Sequence, residues 1–134
     1  MSSALEGGQG PHCLVVDDSR VVRKAARRLL EGFGFTVQEA EDGQQALLAC
    51  RERLPDLVLL DWNMPVMDGI TFLHAARAEY GTEKPLVMLC TTENTPEKIL
   101  EALDMGAQEY VMKPFDAEIL SGKLEQLGLL PEAM

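Results

Sequence analysis

Five polar residues follow short apolar runs of the chain, and together they have the chemistry of a phosphoryl-transfer site. They are Asp17, Asp18, Asp61, Thr91 and Lys113. Carboxylates about 4 Å apart repel by about 4 kcal/mol at an effective dielectric of about 20, so a cluster of them needs a counter-charge. A few carboxylates with retained waters suit Mg²⁺ better than Ca²⁺. A lysine ammonium and a threonine hydroxyl bind phosphoryl oxygens well, so the set predicts metal-assisted phosphoryl transfer.

The elements that must position these side chains follow a regular rhythm. The chain alternates five times between a short apolar run and a longer segment with helical spacing, which predicts an α/β domain with a mainly parallel sheet. The predicted strands are residues 12–16, 35–40, 57–60, 86–90 and 110–112. The second run alternates apolar with polar residues and therefore indicates an edge strand. Because ligands bind at the carboxyl ends of parallel strands, the five polar residues should converge in one crevice.

The predicted helices have recognisable ends. Residues suited to cap the N-termini are Ser19, Asp42, Asp68, Thr95 and Asp116. Pro96 suits a first helical position, and Gly106 and Gly128 suit helix ends. In the first helix, apolar residues recur at i, i+4 spacing from Val21 to Phe33, which predicts a single buried stripe.

Length and composition predict one compact domain. The chain has 134 residues, of which 46% are hydrophobic. Residues 1–11 are small, polar and Gly-rich and predict a flexible leader, residues 12–128 form the predicted domain, and residues 129–134 form a short tail. The widely spaced Cys13, Cys50 and Cys90 predict buried thiols in a reducing compartment rather than a soft-metal site.

Charge and hydropathy exclude several classes of partner. The formal net charge of −10 argues against binding to nucleic acid or to an anionic membrane surface. The sequence has no secretory signal and no apolar run of membrane-spanning length, so it predicts a cytoplasmic protein.

Several separated motifs resemble the response-regulator receiver family. They are Asp17-Asp18, the run LLDWNMPVMDG from Leu59 to Gly69, Thr91, and YVMKPF from Tyr110 to Phe115. The resemblance covers about residues 12–128. It implies a doubly wound, flavodoxin- or CheY-like fold, with a five-stranded parallel sheet in the order 2-1-3-4-5 and helices on both faces.

The same resemblance implies roles for individual residues. Asp61 would accept the phosphoryl group, with Thr91 and Lys113 contacting its oxygens. The Mg²⁺ ligands would be Asp17, Asp18, Asp61 and the main-chain carbonyl of Asn63. On phosphorylation, Thr91 would move toward the phosphoryl group and Tyr110 would rotate inward. The Lys113-Pro114 bond would be cis.

The function implied by the resemblance is a phosphoacceptor signalling switch rather than an enzyme. A sensor histidine kinase or phosphotransfer domain would donate the phosphoryl group. Trp62-Asn63, Glu93 and an end soon after the fifth helix are most similar to stand-alone CheY-type chemotaxis regulators, which implies a monomer and a flagellar motor switch protein as partner. In the family, the threonine that Thr91 matches is often followed by a small residue, commonly alanine. This chain has Thr92 there instead.

Other interpretations stay open at this stage. The chain could be a phosphate sink or phosphorelay intermediate without an output partner, or an interaction module whose phosphorylation is vestigial. A flavin- or nucleotide-binding protein is disfavoured, because no Gly-rich phosphate loop follows the first run. Trp62 is expected to be a partly exposed aromatic.

The first helix also carries a basic flank, which is either a solvated polar face or a docking surface for an acidic kinase partner. Its members are Arg20, Arg23, Lys24, Arg27 and Arg28.

Overall fold

The computed structural model describes residues 10–92 and 95–130, which contain five strands alternating with five helices. In chain order they are β1 (His12–Val16), α1 (Arg20–Gly32), β2 (Thr36–Ala40), α2 (Gly43–Glu52), β3 (Leu57–Asp61), α3 (Gly69–Tyr80), β4 (Leu86–Thr91), α4 (Pro96–Asp104), β5 (Glu109–Met112) and α5 (Ala117–Gln126). Most of the predicted leader, the last four residues of the predicted tail and Glu93 lie outside the described residues.

The strands form one parallel sheet in the order β2-β1-β3-β4-β5, which confirms the predicted fold class and strand order. β2 lies at an edge, as its alternating pattern indicates. β3 and β4 each run one residue further than predicted. Asp61 and Thr91 are therefore the last residues of their strands rather than the first residues of the following loops.

Alternate residues of the strands enter two separate apolar layers, one on each face of the sheet. Cys13 and Val15 of β1 pack in the layer that includes α1 and α5. Leu14 and Val16 pack in the layer that includes α2, α3 and α4. Burial on both faces explains why the central strands are almost continuously apolar.

Four of the five predicted caps make the expected hydrogen bond. The side chains of Ser19, Asp42, Asp68 and Asp116 accept from main-chain N–H groups in the first turns of their helices. Thr95 occupies the cap position of α4, followed by Pro96, but its side chain makes no capping hydrogen bond.

The face that α1 turns toward the sheet differs from the prediction of one apolar stripe. Ala26 and Leu30 are buried as expected, but Arg23 is buried with them, while Val21 is 79% exposed. Positions 23, 26 and 30 share one helical face, so the helix is rotated away from the predicted stripe. The rotation is tolerated because the Arg23 guanidinium finds hydrogen-bond partners in the interior, described below.

The C-terminal end of α4 is tied to α3 by Arg77. Its guanidinium donates to the main-chain oxygen of Gly106, over 2.8 Å from Nη2 and 3.1 Å from Nε, and to Oε1 of Gln108 over 3.0 Å. The same Gln108 oxygen accepts from the main-chain N–H of Val87 in β4 over 2.8 Å. α3, the end of α4 and the sheet are therefore linked at one point.

All three cysteines are free and buried, as predicted. Burial raises the pKa of each thiol, to about 11 for Cys50 and about 12 for Cys90. Among the described residues, no helix combines the length and the apolar character needed to cross a bilayer.

Candidate functional site

Three carboxylates meet at the carboxyl ends of β1 and β3. Asp17 is 3% exposed and Asp61 is 8% exposed, whereas Asp18 lies at the surface. Each offers one oxygen, and these oxygens lie within 4.8 Å of one another. The structure therefore brings together the acidic residues that the sequence places after separate apolar runs. Hard oxygen donors in this number fit a divalent cation such as Mg²⁺.

Lys113 bridges the two buried carboxylates from the end of β5. Its Nζ lies 2.7 Å from Oδ2 of Asp17 and 3.2 Å from Oδ1 of Asp61. Its main-chain N–H donates to the oxygen of Thr91 over 2.9 Å, and its bond to Pro114 is cis, as predicted. One ammonium thus faces a cluster of three carboxylates, which leaves the cluster with excess negative charge.

Burial and neighbouring charges set the protonation of this cluster. Burial raises the pKa of Asp61, and the charge of Asp17 raises it further, while Lys113 opposes both effects. Burial alone would lower the pKa of Lys113, but the hydrogen bond to Asp17 and the charge of Asp61 outweigh it, so the pKa rises. Lys113 is therefore charged at neutral pH, and the excess negative charge favours cation binding.

The main chain of Asp17 is fixed from two sides. Its N–H donates to the oxygen of Ala40 in β2 over 3.1 Å, and its own oxygen accepts from Nη1 of Arg23 over 2.8 Å. The N–H of Ser19 donates to Oδ1 of Asp17 over 2.9 Å, which orients the carboxylate. Arg23 is a residue of the site that the sequence pattern missed, because an arginine on a helix is ordinarily assigned to the surface.

Arg23 is itself held by Glu39, which gathers three cations of the basic flank. Glu39 lies 3.0 Å from Nε of Arg23, 2.8 Å from Nζ of Lys24 and 2.7 Å from Nη1 of Arg27. Burial would raise the pKa of Glu39, but hydrogen bonds from Lys24, Arg27 and Arg23 lower it to about 2. Three of the five residues of the basic flank therefore have a structural partner within the chain, and the other two, Arg20 and Arg28, are exposed.

The loop after β3 passes close to the end of the strand. A Cβ atom at position 69 would collide with the main-chain oxygen of Asp61, so glycine is needed there. The N–H of Gly69 donates to the oxygen of Trp62 over 2.9 Å. Asn63 is exposed in this loop, and the role of its carbonyl as a metal ligand stays a prediction.

Trp62 is buried, which corrects the expectation of a partly exposed aromatic. Its side chain is 7% exposed and packs in the layer of α2, α3 and α4. Nζ of Lys98 in α4 lies 5.7 Å from the centroid of the ring, within the range of a cation–π contact. The end of β3 is thereby connected to the first half of α4.

Thr91 and Tyr110, the two predicted switch residues, lie on neighbouring strands. The register pairs Leu89 with Tyr110 and Thr91 with Met112. Residues two apart on a strand share a face, so Thr91 and Tyr110 both point toward the layer of α2, α3 and α4. Thr91 is 2% exposed, and Tyr110 is half-buried against that layer.

An apolar groove of about 370 Å³ opens beside Lys113. Val21, Ala25 and neighbouring apolar residues of α1 form one wall, and Pro114 and Phe115 form the other. Thr92, the residue that departs from the family's usual pattern, also lines it. The apolar residues of α1 that do not face the sheet, such as Val21, therefore form one wall of this groove.

Comparisons with known proteins agree with this geometry. The sequence pattern of the response regulator receiver domain matches residues 13–125. The chain is 39% identical over 115 residues to the chemotaxis protein CheY of Pseudomonas aeruginosa, which covers 85% of this chain and 93% of that protein. It is also 39% identical to CheY-3 of Vibrio cholerae, over 85% of this chain and 88% of that protein. The structure of Vibrio cholerae CheY4 superposes with a TM-score of 0.82 at 34% identity and covers 87% of this chain and 98% of that chain.

Proposed function

The chain belongs to the response regulator receiver family, and from this premise we propose that it is a signalling switch phosphorylated on Asp61 by a histidine kinase. The observation that carries the proposal is the contact of Lys113 with both Asp17 and Asp61 beside a buried Thr91. A nucleophilic carboxylate, a fixed ammonium and a hydroxyl are the groups that a phosphoryl transfer needs.

In the proposed reaction, one oxygen of Asp61 attacks the phosphorus of a phosphohistidine, and the imidazole nitrogen leaves. The P–N bond breaks as the P–O bond of an aspartyl phosphate forms. Lys113 and Thr91 donate hydrogen bonds to the phosphoryl oxygens and oppose their developing charge. Asp17, Asp18, Asp61 and the carbonyl of Asn63 would hold Mg²⁺, which when bound neutralises the negative charge of carboxylates and phosphoryl group.

The groove beside Lys113 is the proposed contact surface for the phosphodonor. A donor protein must bring its phosphohistidine to Asp61, and the apolar surface of Val21, Ala25 and Phe115 adjoins the site. We favour this surface over the basic flank as the docking site, because Glu39 already binds three of the basic side chains.

The proposed output is a change in the face formed by α4, β5 and α5. Thr91 moves toward the phosphoryl group, and Tyr110 rotates into the space that it leaves. Leu100 of α4 and Ile119 of α5 are exposed apolar residues on these helices, at 59% and 48%. Chemotaxis is the proposed context, with a flagellar motor switch protein as the partner of a monomeric, cytoplasmic regulator, because relatives at 39% identity are chemotaxis proteins.

A phosphotransfer assay tests the proposal. The wild type should gain one phosphoryl group from a phosphorylated histidine kinase in the presence of Mg²⁺, and Asp61→Asn should gain none. Equal labelling of both proteins would contradict the assignment of Asp61.

The output is tested separately by binding of a purified flagellar switch component with and without beryllofluoride, a phosphoryl mimic. Binding that increases with the mimic supports the chemotaxis proposal. Phosphotransfer without any mimic-dependent binding would instead favour a phosphate sink or relay member.

A further inference from the structure

Two charged residues outside the phosphoryl site hold the side chain and the main chain of Tyr110. Nζ of Lys123 in α5 lies 4.9 Å from the centroid of the Tyr110 ring and 3.1 Å from Oε1 of Glu109. The same Glu109 oxygen accepts from the main-chain N–H of Tyr110 over 2.9 Å. The three residues therefore form a closed set of contacts, which we call the tyrosine clamp.

The clamp is shielded from solvent. The side chains of Lys123 and Glu109 are 26% and 18% exposed. By contrast, the ion pair between Arg51 and Glu79 has side chains that are 53% and 36% exposed. Cation–π and ionic contacts strengthen as water is removed from them, so the clamp holds more firmly than an ordinary surface pair.

The clamp approaches Tyr110 from the opposite side to Thr91. α5 packs in the layer on the other face of the sheet, through Leu120 and Leu124. Lys123 therefore reaches the tyrosine around the edge strand β5, whereas Thr91 lies on β4, toward the centre of the sheet. Rotation of the ring toward β4 moves it away from the ammonium, so the cation–π contact belongs to one of the two positions of Tyr110.

We propose that Lys123 and Glu109 are positioning residues that hold Tyr110 in its outward position and thereby set the resting balance of the switch. This inference rests on the proposed function, in which Tyr110 is the aromatic that moves. A contact shifts an equilibrium only when it differs between the two states, and rotation of the Tyr110 ring toward β4 would break the cation–π contact with Lys123. Its loss should raise the ratio of active to resting protein about fivefold, equivalent to about 1 kcal/mol at 1.4 kcal/mol per factor of ten.

Three variants separate the clamp from general effects of substitution. Lys123→Met keeps the aliphatic stem and removes the charge, whereas Lys123→Arg keeps a cation over the ring and should behave as the wild type. Arg51→Met is the matched control, because it removes a cation from an ion pair that does not contact Tyr110.

The experiment is a beryllofluoride titration at fixed Mg²⁺, followed by fluorine NMR of protein that contains fluorotyrosine. The chain has two tyrosines, so Tyr80 serves as the internal reference for Tyr110. When the competent state is a small fraction of the protein, apparent affinity rises in proportion to that fraction. Lys123→Met should therefore bind beryllofluoride about fivefold more tightly, while Lys123→Arg and Arg51→Met should match the wild type.

The outcomes distinguish the clamp from the switch itself. Unchanged or weaker binding of beryllofluoride by Lys123→Met would overturn the clamp. Damage to the structure would weaken binding, so the tighter binding expected here could not result from damage. If bound beryllofluoride is seen through its own fluorine signal but the wild-type Tyr110 resonance does not move, the proposed switch fails, and the clamp fails with it.

Discussion

The two sides of the acidic site are held by different kinds of contact. Near β1 and β2, Arg23 binds the main chain of Asp17 and is itself fixed by Glu39. Near α4 and β5, the rings of Trp62 and Tyr110 each contact a lysine ammonium, and the N-cap residue of α4 makes no side-chain capping hydrogen bond. Buried hydrogen bonds to charged groups are stronger and more directional than cation–π contacts. We infer that the side held by Arg23, which we call the rigid side, is preorganised. The side formed by α4 and β5, which we call the mobile side, is built to rearrange.

The largest effect should come from Arg23→Met, which removes the central contact of the rigid side. Oxygens of Asp17 and Glu39 lose buried hydrogen bonds, so the free energy of unfolding should fall by about 3 kcal/mol, measured by urea denaturation. Arg28→Met, at an exposed position of the same helix, is the control. Equal losses in the two variants would remove the distinction between the rigid and the mobile side.

The ion-pair network of Glu39 should make the stability of the rigid side depend on pH. The pKa of Glu39 falls from its ordinary value of 4.5 to about 2 in the folded protein. The unfolded chain therefore takes up the proton first as the pH falls. The stabilisation is complete above about pH 5 and disappears between pH 4.5 and 2. Because Lys24 and Arg27 are partly exposed and solvent screens their charges, the loss should be about 2 kcal/mol, less than the full pKa change would give.

Glu39→Gln should remove this component of the acid sensitivity. The difference in unfolding free energy between wild type and variant should be largest at neutral pH and shrink below pH 4.5. A difference that stays constant between pH 7 and 3 would show that the carboxylate charge does not stabilise the folded state.

Substitution of Val21 tests whether the exposed apolar surface of α1 binds the phosphodonor, independently of the buried face that holds Asp17. Val21→Glu places a charge in the apolar groove, so phosphotransfer from a kinase should slow about tenfold, equivalent to about 1.4 kcal/mol. Phosphorylation by acetyl phosphate should be unchanged, because this donor needs no docking surface. Leu48→Glu, at a 54% exposed apolar position of α2, is the control. Equal slowing with both donors would place the effect at Asp61 rather than at the groove.

The smallest effect should come from Lys98→Met on the α4 side. The loss of a cation–π contact should lower the free energy of unfolding by about 0.5 kcal/mol. The emission of Trp62, the single tryptophan, should change as the charge leaves its ring. Lys84→Met, at a 63% exposed lysine, should alter neither quantity. A loss as large as that of Arg23→Met would show that the α4 side is no more loosely held.

The sequence predicted the side chains of the site better than it predicted their support. Asp17, Asp61 and Lys113 follow apolar runs directly, and parallel strands align their carboxyl ends, so local patterns were sufficient to bring them together. Arg23 escaped notice because its partner Glu39 lies 16 residues away on an edge strand. A pattern of apolar residues cannot detect a polar side chain that is buried with its partner.

The errors at Val21 and Trp62 have related causes. The apolar residues of α1 cover two adjacent faces, and only tertiary contacts decide which face meets the sheet. Trp62 follows the last residue of β3, where the alternation of a strand no longer applies, so its burial could not be read from periodicity.

The link from Arg77 to Gly106 has a mechanical consequence for α4. A helix that is fixed at its C-terminal end can only tilt about that end, so the displacement of its residues grows toward Thr95 at the N-terminal end. Nine residues at 1.5 Å each give an arm of about 13 Å, so a tilt of about 10° would carry the N-terminal end through about 2 Å. We expect spin labels along α4 to show this gradient on addition of beryllofluoride, and uniform displacements would exclude a pivot. Because the C-terminal end of α4 is fixed, a small structural change beside Asp61 would displace mainly the N-terminal end of the helix.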